Sequence, residues 1–375
     1  MDRIDDLLKE WLSLQPLRIE KQKQIDQQFM VDFNYSSNHL EGNTLTYGQT
    51  KLLLLFGRTK GSALMRDYEE MKAHNIGLEL IKREAENKAQ PLSDVFIQEL
   101  NNTILAGDFY KISYDGQCQY KIHAGIYKTR PNTVTTPSGI VFNYASPEET
   151  PVLMSYLINW YRDEEEKGEL SPIELATLFH YRYIRIYPFE DGNGRMARLL
   201  LNYILLRHGY PMIVIPATDS NIYFDILNKC DKITGLLPVD GANATKEQLK
   251  PFISYIQQLV ERKLEICIQF AKGEIRFFME ACVVEENGEF QNDKEIQEKN
   301  ILEDILDDDT EDVQERRQRL IVSFIKKNNK ITANEIACIL NVNIRTVQRD
   351  IRQLRIQEKI IRRGKGRDGY WKIIG

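Results

Sequence analysis

The sequence predicts a mainly α fold carrying one β-hairpin, followed by a small, separate α/β domain. Three observations predict it. Apolar residues recur at helical spacing through most of the first 265 positions, as at Leu175, Phe179, Tyr183 and Ile186. Two β-rich runs, Asn132 to Thr136 and Ile140 to Phe142, flank Pro137-Ser138-Gly139, the composition of a hairpin. The charge then changes sign. From Glu315 to Gly375 there are sixteen Lys/Arg against five acids, a net +11 that leaves −16 on the rest of a chain of net −5.

A length of 375 residues allows two or three domains with ample cores. The expected division is a helical region at 1–105, a core at 106–265, a helical and acidic linker at 266–314 and the basic domain at 315–375. The opening MDRIDDLLKEW lacks the apolar stretch of a signal peptide, and no run approaches eighteen apolar residues, so no membrane association is expected. Cys118, Cys230, Cys267, Cys282 and Cys338 are scattered without a C-x-x-C pair. That spacing argues for buried thiols in a reducing cytoplasm.

In chain order, Ile4, Leu7, Leu8 and Trp11 open the helical region, and Leu52 to Phe56 and Asp67 to Glu86 continue it. Ser37 and Glu41 lie four apart, on one face of a helix that continues through them, with Gly42 next. Pro147 to Trp160 is a helix. The next begins with Ser171 as N-cap, Pro172 at N1 and Glu174 at N3, a capping box, and Pro188 ends it. Another starts near Arg195 with Met196, Leu199, Leu200, Tyr203 and Ile204 on one face, and stops at Gly209-Tyr210-Pro211.

Between those two helices, Gly192-Asn193-Gly194 accepts positive φ and gathers backbone N–H groups just before a helix N-terminus, where an anion is welcome. Taken alone the three residues also fit a plain helix connection. Arg195 and Arg198, three apart, add forks for phosphate oxygens, and Asp191 adds a carboxylate suited to Mg²⁺ on a polyphosphate.

The stretch Tyr187 to Arg198, YPFEDGNGRMAR, resembles the signature of the Fic (Fido) family, HPFx(D/E)GNGRxxR. Phe189, Asp191, Gly192, Asn193, Gly194, Arg195 and Arg198 match; Tyr187 stands where the family has histidine. The resemblance implies a helical core with a hairpin flap and transfer of AMP from ATP to a hydroxyl on a protein target or on the chain itself. It implies Mg²⁺ or Mn²⁺ on Asp191, the α/β-phosphates on Asn193 and the Gly192 and Gly194 amides, and the β/γ-phosphates on Arg195 and Arg198. Tyr223, near the start of a further helix, takes the place of a nucleoside-lining aromatic, with core packing as the equal alternative. The segment from Ser37 to Gly42 resembles the family's inhibitory motif, (S/T)xxxE(G/N), whose glutamate pairs with the second signature arginine, here Arg198. The hairpin resembles the family's flap, which registers a target backbone, here through Thr133, Val134 and Thr135. Tyr127-Lys128 replaces its usual Tyr-Arg.

In the family the signature histidine is the general base. Tyrosine titrates near 10, so about one in a thousand is ionised at neutral pH, and a competent base needs a downward shift of roughly three units. Arg195, Arg198 and a metal push that way and burial pushes the other. Either Tyr187 works as a weak base, or it fills the histidine's space without ionising.

In the basic tail, Leu320, Ile321 and Phe324 open a helix, a second follows at Glu335 to Leu340, and Asn341 to Asn343 makes a turn. Ile344 to Leu354 then turns Arg345, Arg349 and Arg352 outward, and Ile360 to Trp371 reads as a hairpin bearing Arg363 and Lys365. This resembles a bacterial winged helix-turn-helix, with those five residues set for DNA phosphates and guanines. Two functions are in view: an adenylyltransferase restrained by Glu41, or an inactive nucleotide-binding regulator with a DNA-binding tail. Assembly as a homodimer stays open.

Overall fold

The computed structural model describes residues 2–112, 119–135, 141–275 and, in the tail, 318, 321–322, 324–326, 329, 331–333, 336, 344–357, 359–363 and 370–373. The chain divides into two units, 1–285 and 286–375.

The first unit is mainly helical. Its described elements are α1 (Asp2–Ser13), α2 (Ile19–His39), α3 (Tyr47–Phe56), α4 (Met65–Glu86), α5 (Asp94–Leu105), α6 (Thr150–Lys167), α7 (Pro172–Ile186), α8 (Asn193–Arg207), α9 (Ser220–Thr234), α10 (Pro238–Ala242) and α11 (Lys250–Lys272). Two antiparallel pairs interrupt them: β1 (Phe109–Ile112) with β2 (Gln119–Ile122), and β3 (Thr133–Thr135) with β4 (Val141–Asn143). The β3–β4 pair is the expected hairpin, with Val134 opposite Phe142. The β1–β2 pair was not foreseen. Helix α11 runs unbroken through position 265, where a boundary was expected.

At the centre, α7 and α8 pack on one another, with α4 against α8 and α6 and α10 against α7. The α7 capping box forms as written: the Ser171 hydroxyl accepts from Glu174 N at 3.3 Å and the Glu174 carboxylate accepts from Ser171 N at 2.9 Å. Leu175, Phe179, Tyr183 and Ile186 are all buried. The one-faced expectation for α8 understates it. Leu199, Leu200, Leu201, Tyr203, Ile204 and Leu205 are each at most 1% exposed, so the helix is covered all round. Ile4, Trp11, Ile25, Phe29 and Phe33 of the N-terminal helices join this same core, so positions 1–105 and the core share one interior.

The second unit is small. Helix α12 (Ile344–Ile356) and the antiparallel pair β5 (Ile360–Arg363) with β6 (Tyr370–Ile373) close over Ile321, Ile325, Ile336, Val347, Ile351, Leu354 and Trp371. The Trp371 indole donates to Ile331 O at 3.0 Å, as a buried indole N–H requires. The turn at 341–343 lies outside the described residues.

Candidate active site

The joint between α7 and α8 is held from three sides. Helix α7 ends on Tyr187 at φ 55°, a left-handed conformation that a tyrosine adopts only when its surroundings enforce it. Lys128 supplies part of that enforcement. Its ammonium, buried beneath the turn, donates to Ile186 O at 3.2 Å and Tyr187 O at 2.9 Å, and burial lowers its pKa to about 8. Lys128 N also donates to Pro188 O at 2.9 Å, and the Asn132 amide to Phe189 O at 3.1 Å. From the α8 side, the Asn193 amide accepts from Phe189 N at 3.0 Å and donates to Phe189 O at 2.7 Å. The Asn193 side chain is therefore committed to the loop. Its oxygen and nitrogen clamp the N–H and the carbonyl of one residue, Phe189, and so fix the turn that leads into α8.

Gly192 sits at φ 80° and caps α8 without any side-chain bond, so the first-turn N–H groups face the cleft unmasked by a cap. A Cβ on Gly194 would lie 2.1 Å from Glu41 Oε1, so only glycine lets a carboxylate approach the helix start here.

The two arginines of α8 are both nearly buried and differ in what they hold. Arg195 is 4% exposed, and its Nε and Nη1 have no protein partner. Two buried, unanswered guanidinium donors beside a helix N-terminus are the preparation an anion site needs. Arg198 is 3% exposed and engaged: Nε donates to Ser37 Oγ at 2.9 Å, and Nη2 to Ser37 O at 2.8 Å and Glu41 Oε1 at 2.7 Å. Helix α2 stops at His39, so Glu41 projects from the turn after the helix rather than from a continuing helical face. Gly42 then turns the chain at φ 90°, and the Asn43 amide donates to Asp67 O at 3.0 Å, tying the turn to α4. Ser37 is itself set by a buried histidine. His74 Nδ1 meets Asn34 Oδ1 at 2.7 Å and Nε2 meets Ser37 Oγ at 3.2 Å. The Asn34 amide nitrogen is spent on Met30 O and Asn75 Oδ1, which leaves its oxygen to accept the His74 Nδ1 proton.

A cavity of about 490 Å³ opens beside Tyr187, walled by Lys111, Tyr120, Arg130, Tyr144 and Asp191 among others. The Tyr187 ring stacks on Tyr144, centroids 4.2 Å apart. Burial pushes the Tyr187 phenol well above its ordinary 10.0; Tyr144 and the negative charges of Glu41 and Asp191 add to this, and a hydrogen bond from Asn193 offsets only part. The shift is upward, away from what a base at neutral pH needs. Burial thus favours the neutral phenol at the position where the family signature has histidine. Of the two opposing pulls expected, burial prevails; Arg198 meanwhile pairs with Glu41 and Arg195 faces Asp191 at 3.8 Å.

Asp191 lies in the cavity wall. Its Oδ1 accepts from Gly192 N at 2.6 Å, and its Oδ2 pairs with Lys111 Nζ at 2.6 Å. Burial works against its charge, but Lys111 and Arg195 more than compensate and hold it below the ordinary 3.8. A single carboxylate beside a phosphate cradle fits Mg²⁺, which takes one or two carboxylates with substrate phosphates and water. Among the described residues no cluster of three or more His, Cys, Asp or Glu could hold a metal by itself.

Tyr223 is 1% exposed. Its hydroxyl meets His180 Nε2 at 3.1 Å, and the ring packs on His180, Phe224 and Phe252. It backs Arg198 from within the core and has no open face for a base, so the nucleoside-contact expectation is corrected to core packing. In β3, Thr133, Val134 and Thr135 are paired with β4, while their side chains lie outside the described set. In the second unit Arg349, Arg352 and Arg363 are exposed; the Arg345 side chain and Lys365 lie outside the described residues.

Helices around a Gly-Asn-Gly turn closed by a carboxylate from another segment define a core of the Fic type. The Fic/DOC family pattern matches residues 91–205, and an HTH domain matches 317–370. A Fic domain-containing signaling protein from Bacteroides thetaiotaomicron is 54% identical, with a TM-score of 0.67 over 76% of this chain and all of that one. The chain belongs to the Fic family. The Fic-1 structure from Caenorhabditis elegans is similar at 26% identity and TM-score 0.54, covering 71% of this chain and 69% of that one. Among curated relatives, protein adenylyltransferase fic-1 of Caenorhabditis briggsae is 26% identical over 70% of this chain and 45% of its own length. Protein adenylyltransferase Fic of Nematostella vectensis is 24% identical over 71% and 55%. The chain thus spans about half the length of these relatives. No described helix is long and apolar enough to cross a membrane.

Proposed function

We propose that the first unit binds ATP between the α8 N-terminus, Arg195 and Asp191, and is a protein adenylyltransferase of intrinsically low turnover, held closed by Ser37 and Glu41. The observation that carries this reading is the saturation of Arg198 by Ser37 and Glu41 one turn from an Arg195 with unanswered donors. A γ-phosphate and the Glu41 carboxylate compete for one fork, so the nucleotide enters but its terminal phosphate is refused. A magnesium ion, held by Asp191 with phosphate oxygens, would neutralise charge on the leaving pyrophosphate.

The strand edge of β3 offers backbone groups to a target segment and so brings a Ser, Thr or Tyr hydroxyl of the target, or of the chain itself, toward the α-phosphorus. Attack by that hydroxyl forms the new O–P bond and breaks the bond to the leaving pyrophosphate, and the hydroxyl proton passes to water or to a pyrophosphate oxygen. Tyr187, protonated and held so by burial and by Glu41 and Asp191, does not take it. What remains is positioning and charge stabilisation, without the roughly 10²–10⁴-fold that a general base supplies.

The same protonated Tyr187 favours a second reading, a nucleotide-responsive regulator whose exposed Arg349, Arg352 and Arg363 contact DNA. Incubating Glu41→Gly protein with α-labelled ATP and Mg²⁺ or Mn²⁺, with Tyr187 intact and with Tyr187→His, separates the two. Label on the tyrosine form supports the slow transferase. Label confined to the histidine form supports the regulator.

A further inference from the structure

The carboxylate expected to hold the metal already has a cation on it. Lys111 belongs to β1, some eighty positions before Asp191, yet its Nζ lies 2.6 Å from Asp191 Oδ2. The other oxygen, Oδ1, takes the Gly192 N–H at 2.6 Å and faces Arg195 Nη2 at 3.8 Å. Lys111 is held on this course by its strand. Phe109, two residues earlier and on the same strand face, has its ring centroid 6.0 Å from the Lys111 nitrogen, and Tyr120 stands directly across on β2. The pair is not a loose surface contact: the side chains are 31% and 18% exposed, and both line the cavity that also holds Tyr187.

An ammonium carries three donors and a compact charge. With one donor on Asp191, two remain for oxygens in the cavity. A divalent ion reaching Asp191 Oδ2 must displace that ammonium, and the other carboxylate lining the cavity, Glu190, is paired with Arg130 at 2.9 Å.

We propose that Lys111 is a phosphate-binding cation of this cleft: it bridges Asp191 to the phosphates of a bound nucleoside diphosphate or triphosphate, supports binding without a metal, and competes with a divalent ion for Asp191. This rests on the nucleotide-binding reading above, and its test separates the two.

The probe is ADP, which lacks the γ-phosphate that Glu41 excludes. Calorimetry on the full chain compares wild type with Lys111→Met, each with Mg²⁺ and with EDTA, after equal melting temperatures have been verified. The wild type is expected to change its ADP affinity less than about three-fold when metal is removed. Lys111→Met is expected to lose about ten-fold or more in EDTA, the scale of one charge-assisted hydrogen bond, and to recover in Mg²⁺. Mn²⁺ titration followed by electron paramagnetic resonance gives a second readout: Lys111→Met with ADP should bind Mn²⁺ several-fold more tightly than wild type. Should Lys111→Met fail to fold, Lys111→Gln takes its place in both measurements. Strict metal dependence in the wild type, or EDTA binding indifferent to Lys111, overturns the proposal and leaves nucleotide binding standing. No ADP uptake in any arm, with Glu41→Gly included, overturns both.

Discussion

The two ends of the cleft are built in different ways. At the Arg198 end the chemistry is intact and covered: a complete guanidinium is occupied by a carboxylate and a serine from another part of the chain. At the Tyr187 end the cavity is open and the chemistry is altered: a phenol, kept protonated by burial and nearby negative charge, stands at the turn. A cover can be lifted by movement of the turn after α2, whereas a residue type cannot. On the proposed function, reversible restraint lives at Arg198 and the ceiling on turnover at Tyr187.

The sharpest way to break that contrast is to restore the base. In a Glu41→Gly background, Tyr187→His should raise AMP transfer by about 10²–10⁴-fold, read as α-label incorporated per minute. An unchanged rate would move the ceiling elsewhere. Glu41→Gly alone acts at the other end and should strengthen ATP binding by about ten-fold, a discounted figure because the Glu41 side chain is 36% exposed and its charge is screened.

Acid should loosen the protein from the Arg198 end, where both buried histidines sit. His180 is pushed down to about 3 by burial and by Arg198, and His74 is also held well below 6.5 by burial and both cleft arginines. Their folded pKa values lie under the unfolded one, so the unfolded chain binds more protons once pH drops below about 6.5. Stability is complete above that pH and falls as pH decreases, by up to about 1.4 kcal/mol per unit for each histidine. Urea unfolding of the full chain at pH 7 and pH 5 measures it, and His180→Phe should flatten the slope. Asn193→Ala, which leaves the Phe189 N–H and carbonyl unanswered inside the protein, should cost about 2 kcal/mol in the same assay. The smallest effect belongs to the tail. Arg352→Ala should weaken DNA binding about equally across sequences if it meets phosphate and lower the salt slope by about one.

How far the sequence foretold this depends on range. The α7 capping box, the turn at Gly192 and the pairing of Ser37 and Glu41 are written within a few residues of one another, and local spacing exposes them. The β1–β2 pair stayed hidden because its strands are four residues each, too short for alternation to mark them. Lys111 was missed for the same reason; its meaning comes from Asp191, which only the fold brings near. The clamp made by Asn193 was not legible because an amide can satisfy a phosphate or a peptide equally well, and only geometry tells which. Tyr223 stayed open between ligand and core because an aromatic at helical spacing looks the same in either place. The direction of the Tyr187 shift required knowing that Glu41 and Asp191 already answer the arginines.

The most direct measurement compares ATP with ADP on wild-type and Glu41→Gly protein by calorimetry. With Arg198 occupied, the wild type should bind ATP no more tightly than ADP, and the variant should prefer ATP by about ten-fold. A wild type that already prefers ATP, or a variant that shows no preference, would contradict a cleft closed at its Arg198 end.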